Sequence, residues 1–133
     1  MFTDAEYDYL NSHMLGRLAS IGAGGTPEVH PVTFTVDPHT CCIEIGGPGL
    51  RDTHKYRNIR RDPRVSLIVD DEERQPPGSE RARSRGIEIR GTAELSERTP
   101  VSPGMDADII RIRPALIDSW NVQAPGHHWR FVD

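Results

Sequence analysis

Through most of the chain, apolar side chains fall at every second position, the period of an extended strand whose neighbouring side chains face opposite ways. In residues 15–22, LGRLASIG, Leu18 and Ser20 share one face and Ala19 and Ile21 the other. AGGTPE then supplies two glycines and a proline, and VHPVTFTVD is β-branched at alternate positions, so the two stretches predict a hairpin. DPHT is a second turn, and CCIEIGG continues as a third strand with Ile43 and Ile45 on one face and Cys42 and Glu44 on the other. RVSLIVDD and RGIEIRGTAELS repeat the pattern, as do DIIRIRP and ALIDSWNV, which read as one bent strand or two consecutive ones.

Two stretches break this period. TDAEYDYLNSH sets Thr3 three residues before Glu6, the spacing at which each side chain satisfies a free amide at a helix start, and predicts a helix to about Asn11. After the third strand, a Gly-Gly-Pro-Gly turn leads into LRDTHKYRNIRRDP, a second helix with Asp52 at its cap. Pro63 ends it, because proline drives the preceding residue out of the helical conformation. Residues 72–84, EERQPPGSERARS, carry no large apolar side chain and read as a mobile loop. ERTPVSPGMDA reads as another loop, and the tail QAPGHHWRFVD shows no clear period. The sum is a mainly β fold of about six strands with short helices, one N-terminal and one between strands three and four. Short strands at this spacing predict a small closed six-stranded barrel rather than a sandwich.

Composition narrows the function. At 133 residues the chain is expected to be a single domain, residues 1–133, that buries a core unaided. Its 35 % hydrophobic content is modest, so a homodimer that covers more apolar surface is expected. A net charge of −4 and a pI near 5.8 argue against general nucleic-acid binding, which needs a basic footprint. No apolar run approaches ~18 residues and the N-terminus is acidic, so the expectation is no membrane span, no signal peptide and a cytoplasmic protein. Cys41 and Cys42 are adjacent, one facing in and one out; they suit neither a shared zinc nor an unstrained disulfide. The six histidines show no metal-ligand spacing, and no Ser-His-Asp order stands out.

The positive charge is concentrated. Arg51, Lys55, Arg57, Arg60, Arg61 and Arg64 lie within fourteen residues, and Lys55 is the only lysine in the chain. A strand, a glycine turn and a helix N-terminus in sequence form an anion-binding geometry, because free amides and the positive end of the helix dipole face the same point. Arg51, Lys55 and Asn58 fall at i, i+4 and i+7, with Tyr56 and Ile59 on the apolar side. A lysine in the first turns of a helix is disfavoured by the dipole by up to ~1 kcal/mol. Spacing alone leaves two readings open, a solvated basic face or a face turned to an anion.

Four segments then carry a resemblance: GRLASIGAGGTPEVHPVTF, KYRNIRRDPRVSLIVDD, RGIEIRGTAEL and IIRIRPALIDSW. In this order and spacing they resemble the split β-barrel flavin and deazaflavin proteins related to pyridoxamine 5′-phosphate oxidase, and most of all the PPOX-class, coenzyme F420-dependent branch. The resemblance implies a homodimer with a cofactor groove at the subunit interface and hydride transfer to or from a small electron-poor organic substrate. His30, Pro31, Val32 and Thr33 are then expected along the deazaflavin ring, and Ile45, Gly46 and Gly47 under the ribityl chain and phosphate. Lys55 is expected to hold the phosphate with help from Arg51 and Arg57, and Asn58 to fix the loop before it. No tryptophan follows Pro31, a departure from other deazaflavin reductases. F420 carries a phosphodiester and an oligoglutamate tail, which Arg57, Arg60 and Arg61 suit; flavin mononucleotide (FMN) is the alternative cofactor, and a non-catalytic cofactor- or haem-binding protein the alternative function. The proton donor is left open among water, His30, Tyr56 and a tail residue. Trp120 is expected in core or interface, and Trp129 in a tail that docks or covers the partner's groove.

Overall fold

The computed structural model describes residues 1–73, 83–100, 103–104 and 106–132. The elements are helix α1 (Asp4–Asn11), strands β1 (Leu15–Ile21), β2 (Pro27–Val36) and β3 (Ile43–Ile45), helix α2 (His54–Arg61), and strands β4 (Arg64–Glu73), β5 (Arg83–Glu97), β6 (Asp108–Trp120) and β7 (His127–Phe131). The first six strands run in the order β3-β2-β1-β4-β5-β6, every neighbouring pair antiparallel. β3 also pairs with β6, through Ile43↔Ile112 and Ile45↔Ile110, and this closes the six-stranded barrel that the alternation predicts.

The inward positions are those the two-residue period marks. Leu18, Ile43, Ile45, Leu67, Val69, Ile87, Ile89, Ile110, Ile112 and Ile117 are fully buried in one core, and Leu10 of α1 joins it. β5 and β6 are the longest strands and must bend to close so small a barrel. Their register shifts at Arg90/Gly91, where any Cβ on Gly91 would run into the Arg113 carbonyl. That bulge lets β6 be one bent strand.

Several details differ from expectation. The helix cap is Thr53 rather than Asp52: its hydroxyl accepts from the Tyr56 amide, while Asp52 closes a preceding 3₁₀ turn, Leu50–Asp52. Cys41 and Cys42 precede β3 instead of beginning it; Cys41 has a left-handed backbone (φ 59°) and Cys42 is buried. Of the expected loop 72–84, Glu72 and Glu73 pair with Ser84 and Arg83 in the β4–β5 hairpin. The remainder, 74–82, lies outside the described residues.

The tail forms a seventh strand. β3 is three residues long and covers β6 only at positions 110–112, which leaves the other half of that edge for β7, paired from Leu116↔Phe131 to Trp120↔His127. No period announces this strand because its less exposed residues are His128 and Arg130, while Trp129 and Phe131 face outward. Arg130 is tolerated there because it meets the wholly buried Glu6 of α1, Nη2 to Oε1 at 2.6 Å and Nη1 to Oε2 at 3.1 Å.

Candidate functional site

β3 stops at Ile45, opposite Phe34, so from Thr33 back to Pro31 the β3-side edge of β2 has no strand beside it. A groove of about 360 Å³ opens at this edge. Pro31, Val32 and Thr33 form one wall, Gly46, Gly47 and Pro48 the other, and Leu15 and Lys55 complete it. Gly47 has φ 148°, and open space surrounds it, so its backbone conformation and not crowding calls for glycine there. The turn is pinned from outside the groove, where the Gly49 amide donates to Asp106 at 2.8 Å.

Lys55 is the second residue of α2, half-buried, and makes no hydrogen bond or ion pair among the described residues. Burial pushes its pKa below the ordinary lysine value. The first turn of α2 has no acidic residue to offset it. A partly desolvated ammonium at the positive end of a helix, beside open backbone edges, is a place where an anion is stabilised from three sources.

Six of the expected site residues thus come together: Pro31, Val32, Thr33, Gly46, Gly47 and Lys55. His30 sits beside them with its ring 43 % exposed, yet Nε2 is turned inward without a hydrogen-bond partner, 3.9 Å from Glu28 Oε1. Ile45 belongs to the core with its side chain fully buried. Arg51 is turned away to β6, where its guanidinium grips Asp108 at 2.9 and 3.2 Å, and that hydrogen bond raises its pKa. The shared face of Arg51, Lys55 and Asn58 does not form, because α2 starts at His54 and Arg51 lies in the turn before it.

Asn58 is buried and acts as a clamp on the helix rather than on the loop before it. Its amide donates to Ser20 Oγ of β1 at 3.0 Å and Glu28 Oε1 of β2 at 3.2 Å, while its carbonyl accepts from Arg61 at 2.9 Å. Arg57 lies around the helix from Lys55, in a larger cavity of about 730 Å³ shared with His54, Arg60, Arg61, Glu28 and Thr26. The greater volume does not make it the better platform: it is a basic hollow, whereas the smaller groove has the free strand edge.

Among the described residues, most arginines are paired. Every described arginine outside α2, from Arg17 with Asp70 to Arg130 with Glu6, lies at most 3.9 Å from a carboxylate oxygen. Lys55, Arg57, Arg60 and Arg61 are the exceptions among the described residues: Arg60 rests over the Tyr56 ring at 5.3 Å, and Arg61 reaches only the neutral Asn58.

The sequence reading missed Leu15, Pro48 and Glu28. Hairpin register held the signal for Leu15, which pairs with Thr33 and so reaches the same face. Trp120 is not in the core: it lies half-exposed over Gly86, donates to Ser84 Oγ at 3.2 Å and stacks on His127. Trp129 is 63 % exposed on β7, edge-on to Phe131. No helix among the described residues is long and apolar enough to cross a membrane.

Comparison with known proteins agrees with this architecture. The chain is 35 % identical over 127 residues to the 5a,11a-dehydrotetracycline/5a,11a-dehydrooxytetracycline reductase of Streptomyces rimosus subsp. rimosus, covering 92 % of this chain and 84 % of that protein. Among solved structures it resembles the conserved hypothetical protein Rv2991 from Mycobacterium tuberculosis, with a TM-score of 0.68 and 24 % identity over 92 % of this chain and 87 % of that one. It also resembles a heme binding protein from Mycobacterium smegmatis, with a TM-score of 0.69 and 14 % identity over 98 % of this chain and 59 % of that one, a likeness of fold alone. The pyridoxamine 5′-phosphate oxidase family matches over residues 2–120, all six barrel strands and both helices, and the chain belongs to that family.

Proposed function

We propose that this protein is an F420-dependent reductase that moves a hydride from the reduced deazaflavin to a small electron-poor organic acceptor. The observation that carries the reading is the uncompensated charge of α2, four cations without a carboxylate partner among the described residues in a protein that pairs its other described arginines. Lys55 alone is enough for a compact terminal phosphate. Arg57, Arg60 and Arg61 extend the positive charge around the helix, which favours a longer polyanion such as a phosphodiester with an oligoglutamate tail over FMN. The reductase activity of the Streptomyces relative supports the same class of chemistry and suggests a fused-ring enone as acceptor.

Hydride transfer is the chemistry such a cofactor supplies when bound. This chain's residues hold and orient it. The free edge of β2 offers the Thr33 N–H and C=O and the Pro31 C=O to the ring's polar edge, with Leu15 against its apolar part. Lys55 holds the phosphate, and Asn58 keeps α2 at the depth where Lys55 reaches it. The groove is open on one side, and Leu15, Val29 and Pro31 present apolar surface around it, so a second copy of the chain is proposed as its cover.

Titration with F420 and with FMN, followed by fluorescence, tests the cofactor. F420 is expected to bind and FMN to bind more weakly; tight FMN binding with no response to F420 overturns the reading. Sedimentation of the purified protein is expected to show a dimer.

A further inference from the structure

The groove does not end at Thr33. A smaller cavity of about 190 Å³ adjoins it and shares Thr33 and Gly46 as a common wall. Thr33 and Thr35 are two apart on a strand and face the same way, and Thr35 pairs with Glu44 of β3, so the floor continues along β2 past the expected ring position. The far wall is Arg98, the residue just past β5, and Met14, 76 % exposed, forms the rim. Lys55 lies at the opposite end of the groove.

We infer that this annex is the acceptor subsite, and that Arg98 reads an ionised enol or β-diketone oxygen on a planar fused-ring acceptor. The inference rests on the reductase reading above. Arg98 Nη1 donates to Glu44 Oε1 at 3.2 Å, which leaves its Nε and Nη2 without a protein partner among the described residues. Glu44 is not Arg98's alone, since Arg111 donates to its other oxygen at 3.0 Å. Arg111 and Arg113 in turn share Glu94, at 3.5 and 3.2 Å, so three guanidinium groups alternate with two carboxylates and one positive charge is in excess.

A guanidinium braced on one side and open on the other is pre-organised for an oxyanion, and its planar fork fits two neighbouring oxygens as an ammonium does not. Thr33 and Thr35 add hydroxyls that donate or accept, and the Met14 thioether suits the face of a flat unsaturated ring. At about 190 Å³ the annex is below the size of an ordinary ligand pocket and takes the oxygen-bearing edge of such a molecule, not the whole of it. The remaining rings then lie toward Thr33, over the groove that the first reading assigns to the cofactor.

Calorimetric titration of the protein with tetracycline, a stable fused-ring molecule with an ionised β-diketone, tests this with and without F420 present. Binding is expected to weaken about tenfold in Arg98→Met and less in Arg98→Lys. Because Arg111 still neutralises Glu44 in the Arg98 variants, the fold is expected to survive, and Thr35→Val provides an uncharged second probe of the same wall. Wild-type affinity in both Arg98→Met and Thr35→Val overturns the inference, as does absence of tetracycline binding in both forms. Loss of F420 binding alone, with Arg98-dependent tetracycline binding retained, overturns the cofactor reading and leaves this one standing.

Discussion

The two helices are the same length and open on the same kind of cap, a threonine whose hydroxyl accepts from the amide three residues on. Their charges are used in opposite ways. α1 begins with Asp4 and Glu6, where carboxylates suit the helix dipole. Glu6 is then consumed inside the protein, by the Thr3 amide at 2.9 Å and by the Arg130 fork. α2 begins with His54 and Lys55, against its dipole; His54 lies 3.8 Å from Glu28, but Lys55, Arg57, Arg60 and Arg61 find no carboxylate among the described residues. A charge that is satisfied internally holds the fold together, whereas one left unsatisfied at the lip of a groove is available to something from outside. α1 is a clamp on the tail, and α2 is the proposed binding element.

The largest effect that can break this contrast is on the α1 side. Glu6→Ala leaves the partly buried Arg130 without its partner, and is expected to cost about 3 kcal/mol, a fall in Tm on the order of 10 °C by calorimetry. Burial alone raises the Glu6 pKa, but the Arg130 hydrogen bonds and charge with the Thr3 amide outweigh it, and the net direction is down. Asp71, bonded to Arg85 and accepting from Tyr9, is held down to about 2. A folded pKa below the unfolded one gives stability that is present above the unfolded value and lost as pH falls through the folded one. The protein is therefore expected to lose stability below about pH 4.5, the ordinary value for Glu, and Glu6→Gln to flatten that acid limb in a series of melts across pH.

On the α2 side, Lys55→Ala is expected to weaken F420 binding by about 1.5–3 kcal/mol, the scale of a charge-assisted hydrogen bond, with Tm unchanged. The two variants should move different observables. A Lys55→Ala protein that melts as early as Glu6→Ala while binding F420 normally would make α2 another structural clamp and erase the distinction.

Much of this is legible in the sequence. The two-residue period located the six barrel strands, and the Thr3–Glu6 spacing marked α1, because both depend on local side-chain direction and backbone satisfaction. Residues 31–33 are legible only through resemblance, whereas spacing marks the glycine turn and Lys55 as one of two open readings; the groove gathers all six. What failed was long-range. Nothing local told that β3 would end at three residues and leave an edge of β6 for the tail, nor that Arg130 could face inward because Glu6, far away in sequence, would meet it. Helical spacing put Arg51, Lys55 and Asn58 on one face, but that argument assumed a helix already under way at Arg51; a cap two residues later sends Arg51 to Asp108 and buries Asn58.

The smallest effects sharpen the comparison most, because they ask whether the charge of α2 extends beyond Lys55. Arg57 is exposed and its side chain makes no hydrogen bond or ion pair among the described residues, so Arg57→Gln removes charge without removing a brace. Exposed charges at this distance act through a screened field, and each is expected to contribute about 0.5 kcal/mol, a two- to threefold change in affinity. Arg60→Gln should behave alike, apart from the loss of its rest over Tyr56. Combined, the two substitutions are expected to reduce F420 affinity several-fold at low ionic strength, with the difference from wild type shrinking as salt is raised. FMN, which ends at its phosphate, should bind both proteins equally. Equal losses for the two cofactors would place the arginines' influence on Lys55 itself, and remove the reason for preferring the longer anion.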